Sequence, residues 1–314
     1  MTTDTRVQIP VVCIVGATAT GKTAGALTIC ERINGEIIGA DSVQVYRGVD
    51  IGSGKPTTES LRGVPHHMID ILDPNQPINA GSFTALAHDV VVDVHARGRV
   101  PVIVGGTGLW LRALMRGLVD VPQVDDDVRS RLEARWDREG PEALHAYLHE
   151  VDPRSATLIH PNDKLRVVRA LEIHEQTGQP MGALREQHAL GAPRYRALTY
   201  LLQLPAVHLV ERQRQRIGEM LDAGWIEETR HLLASYGPEI RALSAVGYRQ
   251  LVQHLTEHRP LEETRAEIER ATRLYARRQN TWFKSDRDVN HTLTPDALLS
   301  SVHMREIEAH LKHS

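Results

Sequence analysis

Cysteine is nearly missing: the 314-residue chain holds two, Cys13 and Cys30. Two thiols in a chain this long build neither a disulfide framework nor a zinc knuckle, and they suit a reducing cytosol. Long apolar runs are missing too. None approaches the roughly 18 residues of a membrane span, and "MTTDTRVQIP" carries no apolar core. No signal peptide and no spanning helix are expected, and a cytoplasmic location is. One-sided charge is also missing. With a net charge of −3 there is no global basic field, so any nucleic-acid contact must come from local patches. Aromatics make up only 4%, which makes any place where they gather informative. The remaining composition is that of a globular chain, long enough for one large domain or two modest ones.

The first 118 residues alternate short apolar runs with helix-compatible stretches: "VVCIV", then "EIIGA" (36–40), later "VPVIVGG" (100–106). That alternation predicts a parallel sheet with covering helices. Residues 128–190 change character. They are charged and helix-periodic, with breaks at Gly140-Pro141, Asp152-Pro153, His160-Pro161 and Gly178. "ALTYLLQL" (197–204) reads as a strand again, followed by helices over about 206–234 and 261–284; the tail after 290 is weakly patterned. The expected architecture is an α/β core, residues 1–119 and 196–314, interrupted by a helical insertion at 120–195.

"GATATGKT" (16–23) is the sharpest local signal. An apolar strand precedes it, and a helix that stops at Asn34-Gly35 follows it. This is the context in which a glycine loop of this spacing holds phosphate. The N–H groups of Gly16, Ala17, Thr18, Ala19, Thr20 and Gly21 can cradle oxyanions, and the helix N-terminus adds partial positive charge. Lys22 reaches terminal phosphates and the Thr23 hydroxyl is placed to ligate Mg²⁺. The fold class is therefore P-loop NTPase-like, and the loop is a nucleotide-binding, ATP-binding type. The plain alternative is a chance match on an ordinary strand–turn–helix.

Ligands of a parallel sheet lie beyond the carboxyl ends of its strands. Asp41 follows "EIIGA" and is thus placed near the loop, as a catalytic group or as a turn cap. "VPVIV" ends in Gly105-Gly106-Thr107 with no acid, whereas nucleotide hydrolases usually hold Mg²⁺ with an acid at a strand end. Arg212 and Arg216 share a helix face that suits polyphosphate; a solvated basic face is the plainer reading. On 269–287, Arg270, Arg273, Arg277 and Lys284 form one helical stripe, and Tyr275 and Trp282 another. Basic residues interleaved with aromatics suit a nucleic-acid backbone and an unstacked base, or a packed aromatic face beside a solvated one. His66-His67 and His145/His149 read as structural or surface residues, and "DDD" at 125–127 as a helix start.

Seven segments in order resemble the tRNA dimethylallyltransferases, the tRNA isopentenyltransferase family. They are "GATATGKT", "ADSVQVYRGVDIGSGKP", "VPHHMID", "VGGTGLW", "IHPNDKLRVVRALEI", "SAVGYRQ" and "RRQNTWFK", spanning about residues 11–284. The loop departs from the family's usual form at Ala17 and Thr20, without loss of an N–H donor. The resemblance implies transfer of a dimethylallyl group from dimethylallyl diphosphate to N6 of the adenosine beside the anticodon, position 37 of tRNA, with release of pyrophosphate. It implies a diphosphate cradle of Gly16–Thr23 with Arg216 and Mg²⁺ on Thr23, and Asp41 as the catalytic acid–base group with Thr18 nearby. It implies tRNA contacts from Asp41, Ser42, Val43, Gln44 and Thr107. In the insertion it implies contacts from Arg129, Leu165, Arg166, Val167, Val168 and Arg169. Towards the C-terminus it implies Gly247, Tyr248 and Arg249, then Arg277, Arg278, Gln279 and Lys284. A monomer without membrane attachment is expected. Two other readings share the loop: a small-molecule phosphotransferase, which leaves the basic–aromatic helix unexplained, and a non-catalytic RNA-binding protein, which leaves Asp41 unexplained.

Binding of tRNA should fall steeply with salt despite the net charge of −3. The expected slope is roughly 0.7–0.9 log units of affinity per neutralised phosphate per log unit of salt. Replacing Arg277 and Arg278 together by Ala should flatten it. An unchanged slope in filter-binding titrations would place the RNA surface elsewhere.

Overall fold

A computed structural model describes residues 8–118, 125–184 and 193–312. The expected core–insertion boundary at 119–120 and the helical reading of 185–190 lie outside them. The described chain forms two compact units, residues 1–115 with 194–314, and residues 116–193.

The first unit is built on a six-stranded sheet of order β3-β2-β4-β1-β5-β6, with every pairing parallel. The strands are β1 (Pro10–Gly16), β2 (Gly35–Ala40), β3 (His66–His67), β4 (Val100–Gly105), β5 (Arg196–Leu202) and β6 (His291–Leu293). β1 is buried along its whole length. Val11, Cys13 and Val15 enter the core on one face, and Val12 and Ile14 the core on the other. A strand covered on both faces needs a continuous apolar run, which is what "VVCIV" supplies. Both cysteines are buried and free, and burial pushes each thiol up to about 12.

Helix α1 (Lys22–Ile33) starts at Gly21, in the left-handed region with φ 86°, and ends at Asn34, also left-handed. Helices α2 (Ala80–Ala96) and α3 (Gly108–Arg116) complete the first half. β4 crowds β2 at its carboxyl end: a Cβ on Gly105 would lie 2.2 Å from the Ala40 carbonyl oxygen. His66 and His67 form β3. His67 Nε2 meets the buried Glu36 at 2.7 Å, and Arg97 grips the same carboxylate at 2.6 and 2.7 Å. Burial pushes His66 down to about 4, so it is neutral.

The second unit consists of α4 (Asp126–Glu139), α5 (Pro141–Val151), α6 (Pro153–Leu158) and α7 (Lys164–Thr177). Asp125, Asp152 and Asp163 cap α4, α6 and α7, and Gly178 ends α7 in the left-handed region. Leu132, Leu144, Leu148, Val167, Val168 and Leu171 form its own core.

The chain then returns to the first unit with α8 (Ala206–Asp222), α9 (Trp225–Tyr236), α10 (Tyr248–Glu257) and α11 (Leu261–Lys284). The run expected over 206–234 is split at Gly224, whose φ of 101° no helix continues. The weakly patterned tail supplies the edge strand β6 and two helices, α12 (Pro295–Leu298) and α13 (Ser301–Lys312). Three residues are too few to show a strand period. β6 exists because β5 offers it a ladder, with Tyr200 opposite His291. Glu306 on α13 fastens it by accepting from the Tyr200 hydroxyl at 2.9 Å and meeting His291 at 2.6 Å.

Gly105→Ala should destabilise the first unit by about 1–3 kcal/mol, because the added methyl meets backbone that cannot rotate away. A chemical-denaturation midpoint equal to wild type would reject the close β2–β4 approach.

Candidate active site

The glycine loop sits between β1 and α1, beyond the carboxyl end of β1. Gly16 has a φ of 148°, and a Cβ there would stand 2.6 Å from the Leu202 carbonyl oxygen. Ala19 takes a left-handed φ of 66°. The Ala17 carbonyl accepts from the Thr20 hydroxyl at 2.8 Å and from Lys22 Nζ at 2.6 Å. No side chain caps α1, so its first N–H groups point out of the helix end.

Positive charge converges on this end. Burial lowers the Lys22 ammonium to about 8, Asp41 offsets part of that shift, and Arg216 adds to it. Arg216 is itself lowered by burial and held up by Asp41 and Glu219. Its guanidinium packs against Gly54, where any Cβ would overlap it. Arg212 lies beside Gly21, 3.7 Å from where a Cβ would stand. Arg216 is half-buried, so the solvated-face reading does not describe it, whereas Arg212, beside Gly21, is exposed as that reading expects.

Asp41 follows β2, as its position in the sequence requires. Its Oδ1 accepts from the Val43 and Gln44 amides at 2.9 and 3.3 Å. It does cap a turn, then, but with one oxygen. Its charge also reaches Lys22, Arg216 and Tyr275. Ser42 donates its N–H to the Thr107 hydroxyl at 3.3 Å, which links the ends of β2 and β4. Tyr275, reaching in from α11, hydrogen-bonds Thr107; burial and Asp41 push its phenol up to about 12. Gln44 donates from Nε2 to the Ser53 and Gly54 carbonyls.

Several expectations need correction. The Thr18 N–H does not face a phosphate: it donates to Gln279 Oε1 at 3.0 Å. Gln279 is not a surface contact. It is 8% exposed, and its Nε2 donates to the Gly106 carbonyl at 2.9 Å. Both polar atoms of this side chain are spent inside the protein. Tyr248 is likewise fully buried, packed edge-on against Trp225. Gly247 beside it has no room for a Cβ. These two build the site from behind, and Arg249 lies exposed one residue further on. Arg277, Arg278 and Lys284 are exposed on α11. Trp282 packs on Gly108 and lies under the Arg112 guanidinium at 4.3 Å. Of the basic–aromatic helix, the basic residues are outside and Tyr275 lines the site.

In the second unit, Leu165 and Arg166 are exposed, whereas Val167 and Val168 are core residues whose side chains cannot reach a surface partner. Arg129 and Arg169 share Glu172, 1% exposed, at 2.7 and 3.1 Å.

Sequence reasoning missed Glu228. Its carboxylate accepts from the amides of Asp50, Ile51 and Gly52 at 2.9, 2.7 and 3.1 Å, and from the Tyr248 hydroxyl. It thereby fixes the loop that carries Gly54 to Arg216. A single Glu on an amphipathic helix carries no signal of this. Only "GSGKP", too glycine-rich to shape itself, hints that something must hold it.

Comparison with known proteins gives consistent family and fold matches. The family model "IPP transferase" matches residues 44–286. A tRNA dimethylallyltransferase of Symbiobacterium thermophilum is 46% identical over 281 residues, 89% of this chain and 88% of that protein. The crystal structure of a tRNA isopentenylpyrophosphate transferase from Bacillus halodurans is similar with a TM-score of 0.71 at 36% identity, covering 98% of this chain and 97% of that one. A eukaryotic dimethylallyltransferase, crystallised acting on tRNA, is similar with a TM-score of 0.78 at 27% identity, over 95% of this chain and 78% of that one.

Lys22 is held near 8 by its surroundings, and an anion beside it must draw a proton back. Affinity for inorganic pyrophosphate should therefore fall as pH rises through about 8. Calorimetry at about pH 8.5, in buffers of differing ionisation heat, should show more proton uptake for wild type than for Lys22→Arg, whose guanidinium stays charged. Equal uptake would mean that Lys22 does not meet the anion.

Proposed function

Because this chain belongs to the IPP transferase family of tRNA dimethylallyltransferases, we propose that it transfers the dimethylallyl group of dimethylallyl diphosphate to N6 of the adenosine at position 37 of tRNA. The products are N6-isopentenyladenosine and pyrophosphate. One observation carries the site-level reading: Asp41 acts electrostatically on both Lys22 and Arg216. A base and a diphosphate cradle that close together suit a reaction in which a leaving group departs while a proton is lost.

The allylic carbon–oxygen bond breaks and its electron pair leaves with the diphosphate. The α1 N-terminus, Lys22, Arg216 and Arg212 stabilise that charge, which grows in the transition state. The N6 lone pair forms the new carbon–nitrogen bond, and the N6 proton passes to Asp41. One Asp41 oxygen holds the turn, which leaves the other for the amine. Thr107 and Tyr275 line the adenine's place, and the Thr18 hydroxyl stands at the loop. The target base must leave its stack to enter, which costs least in a loop.

Mg²⁺ fits the donor set. Among the described residues no group of three or more His, Cys, Asp or Glu could hold a metal. Mg²⁺ often binds through substrate phosphates, waters and one or two protein oxygens, here the Thr23 hydroxyl. It supplies charge neutralisation to the departing diphosphate. Exposed Arg129, Leu165 and Arg166 and half-buried Arg169, with Arg249, Arg277, Arg278 and Lys284, contact tRNA in this reading.

A phosphotransferase is disfavoured by the end of β4. Gly105 and Gly106 are packed against Ala40 and Gln279, with no room for an acid there.

Asp41→Asn separates the possible roles of this residue. Proton acceptance predicts a loss of about 10²–10⁴-fold in prenyl transfer, in the lower half because an exocyclic amine sheds its proton with or after attack. Pure orientation predicts about tenfold. Binding of both substrates should survive, since the interaction matters most in the transition state. Single-turnover transfer from radiolabelled dimethylallyl diphosphate, with ATP as competitor, decides it: a wild-type rate sinks the assignment.

A further inference from the structure

A cavity of about 490 Å³ opens on the flank of α11 away from Tyr275, between the carboxyl end of β5, α8 and α11. The chemistry above does not use it. Its polar lining is unsatisfied. Gln213 is 4% exposed, and neither atom of its carboxamide has a partner. Gln203 Nε2 and Asn280 Oδ1, also on the cavity wall, are buried without partners. Buried polar groups are normally paired, and four unpaired carboxamide atoms around one space call for a ligand. Leu209 and Ala276 give the cavity an apolar wall. Arg277 and Lys284 stand on it and pair with no acid among the described residues.

Carboxamides present a donor and an acceptor side by side, the pattern that reads a nucleobase edge. Cations beside them suit the phosphates of the same strand. At 3.6 residues per turn, Lys284 lies on the opposite flank of α11 from Tyr275. α11 is therefore a ridge, with the Asp41–Thr107–Tyr275 site on one side and this cavity on the other. Its width with side chains, about 10–12 Å, equals about three stacked nucleotides at 3.4 Å each. Arg277 lies on the cavity flank with Lys284 and Arg278 lies nearer Tyr275, and both are exposed.

We propose that the cavity takes a second unstacked base of the same RNA, within about three nucleotides of the modified adenosine, with the backbone crossing α11 over Arg277 and Arg278. This rests on the proposed RNA substrate. It makes Gln213 a specificity residue, remote from the reacting atoms.

The test uses anticodon stem-loop RNAs, each with one abasic nucleotide within three positions of the target adenosine. Binding at fixed salt and prenyl transfer are measured for wild type, Gln213→Leu and Gln213→Glu. One abasic position should weaken wild-type binding about tenfold or more, and the penalty should shrink to under about twofold in Gln213→Leu. Gln213→Glu keeps the side chain's size and should change which base is preferred there. Equal abasic penalties in all three proteins overturn the proposal. So do unchanged penalties with weakened pyrophosphate binding, which would assign the cavity to the diphosphate. Wild type that prenylates none of these RNAs overturns the proposed function itself.

Discussion

The carboxamide of Gln279 holds the site together. Its oxygen takes the Thr18 N–H and its nitrogen donates to the Gly106 carbonyl, at 3.0 and 2.9 Å. One side chain thus ties α11 to the loop after β1 and to the turn after β4. Removing it leaves a buried N–H and a buried C=O unpaired, each costing about 1–3 kcal/mol. Gly106 is glycine because that carboxamide occupies the space of its Cβ, at 2.3 Å. Tyr275 reaches Thr107 only because α11 is anchored one turn further on.

Charge sets the second constraint. Lys22, Arg212 and Arg216 crowd one end of the sheet, with Asp41 the acid that acts on both Lys22 and Arg216. Burial works against Lys22 and Arg216, and the lowered lysine records it. A folded protein keeps such an arrangement where an anion stabilises it, and this is the basis of the proposed diphosphate cradle. The absence of an acid after β4 belongs to the same design, because a second carboxylate there would repel the leaving group.

Two carboxylates, Glu228 and Glu172, order the protein groups around them. Glu228 spends its oxygens on three consecutive amides and the Tyr248 hydroxyl, and so shapes a glycine-rich segment without shape of its own. Glu172 does the corresponding work in the helical unit, where Arg129 and Arg169 share it. Glu228 fixes backbone amides, and Glu172 fixes two arginine side chains that would otherwise sample many rotamers.

Much was legible in the chain itself, for local reasons. The apolar run of β1, the glycine loop, the Asn34 stop of α1 and the Pro, Gly and Asp breaks of the helical unit are each decided by neighbours in sequence. Asp41 was placed because ligands gather at strand ends whatever the rest of the chain does. The ordered motifs added the chemistry that no spacing states. Other features depended on groups far apart in sequence. β6 forms only because β5 pairs with it, and Gln279 turns inward only because Thr18 and Gly106, 261 and 173 residues away, meet there. Val167, Val168 and Tyr248 carried the look of contact residues until packing claimed them. Local sequence determines which backbone each segment prefers. Which side chains are left to meet a ligand is decided only once the tertiary structure has used up the others.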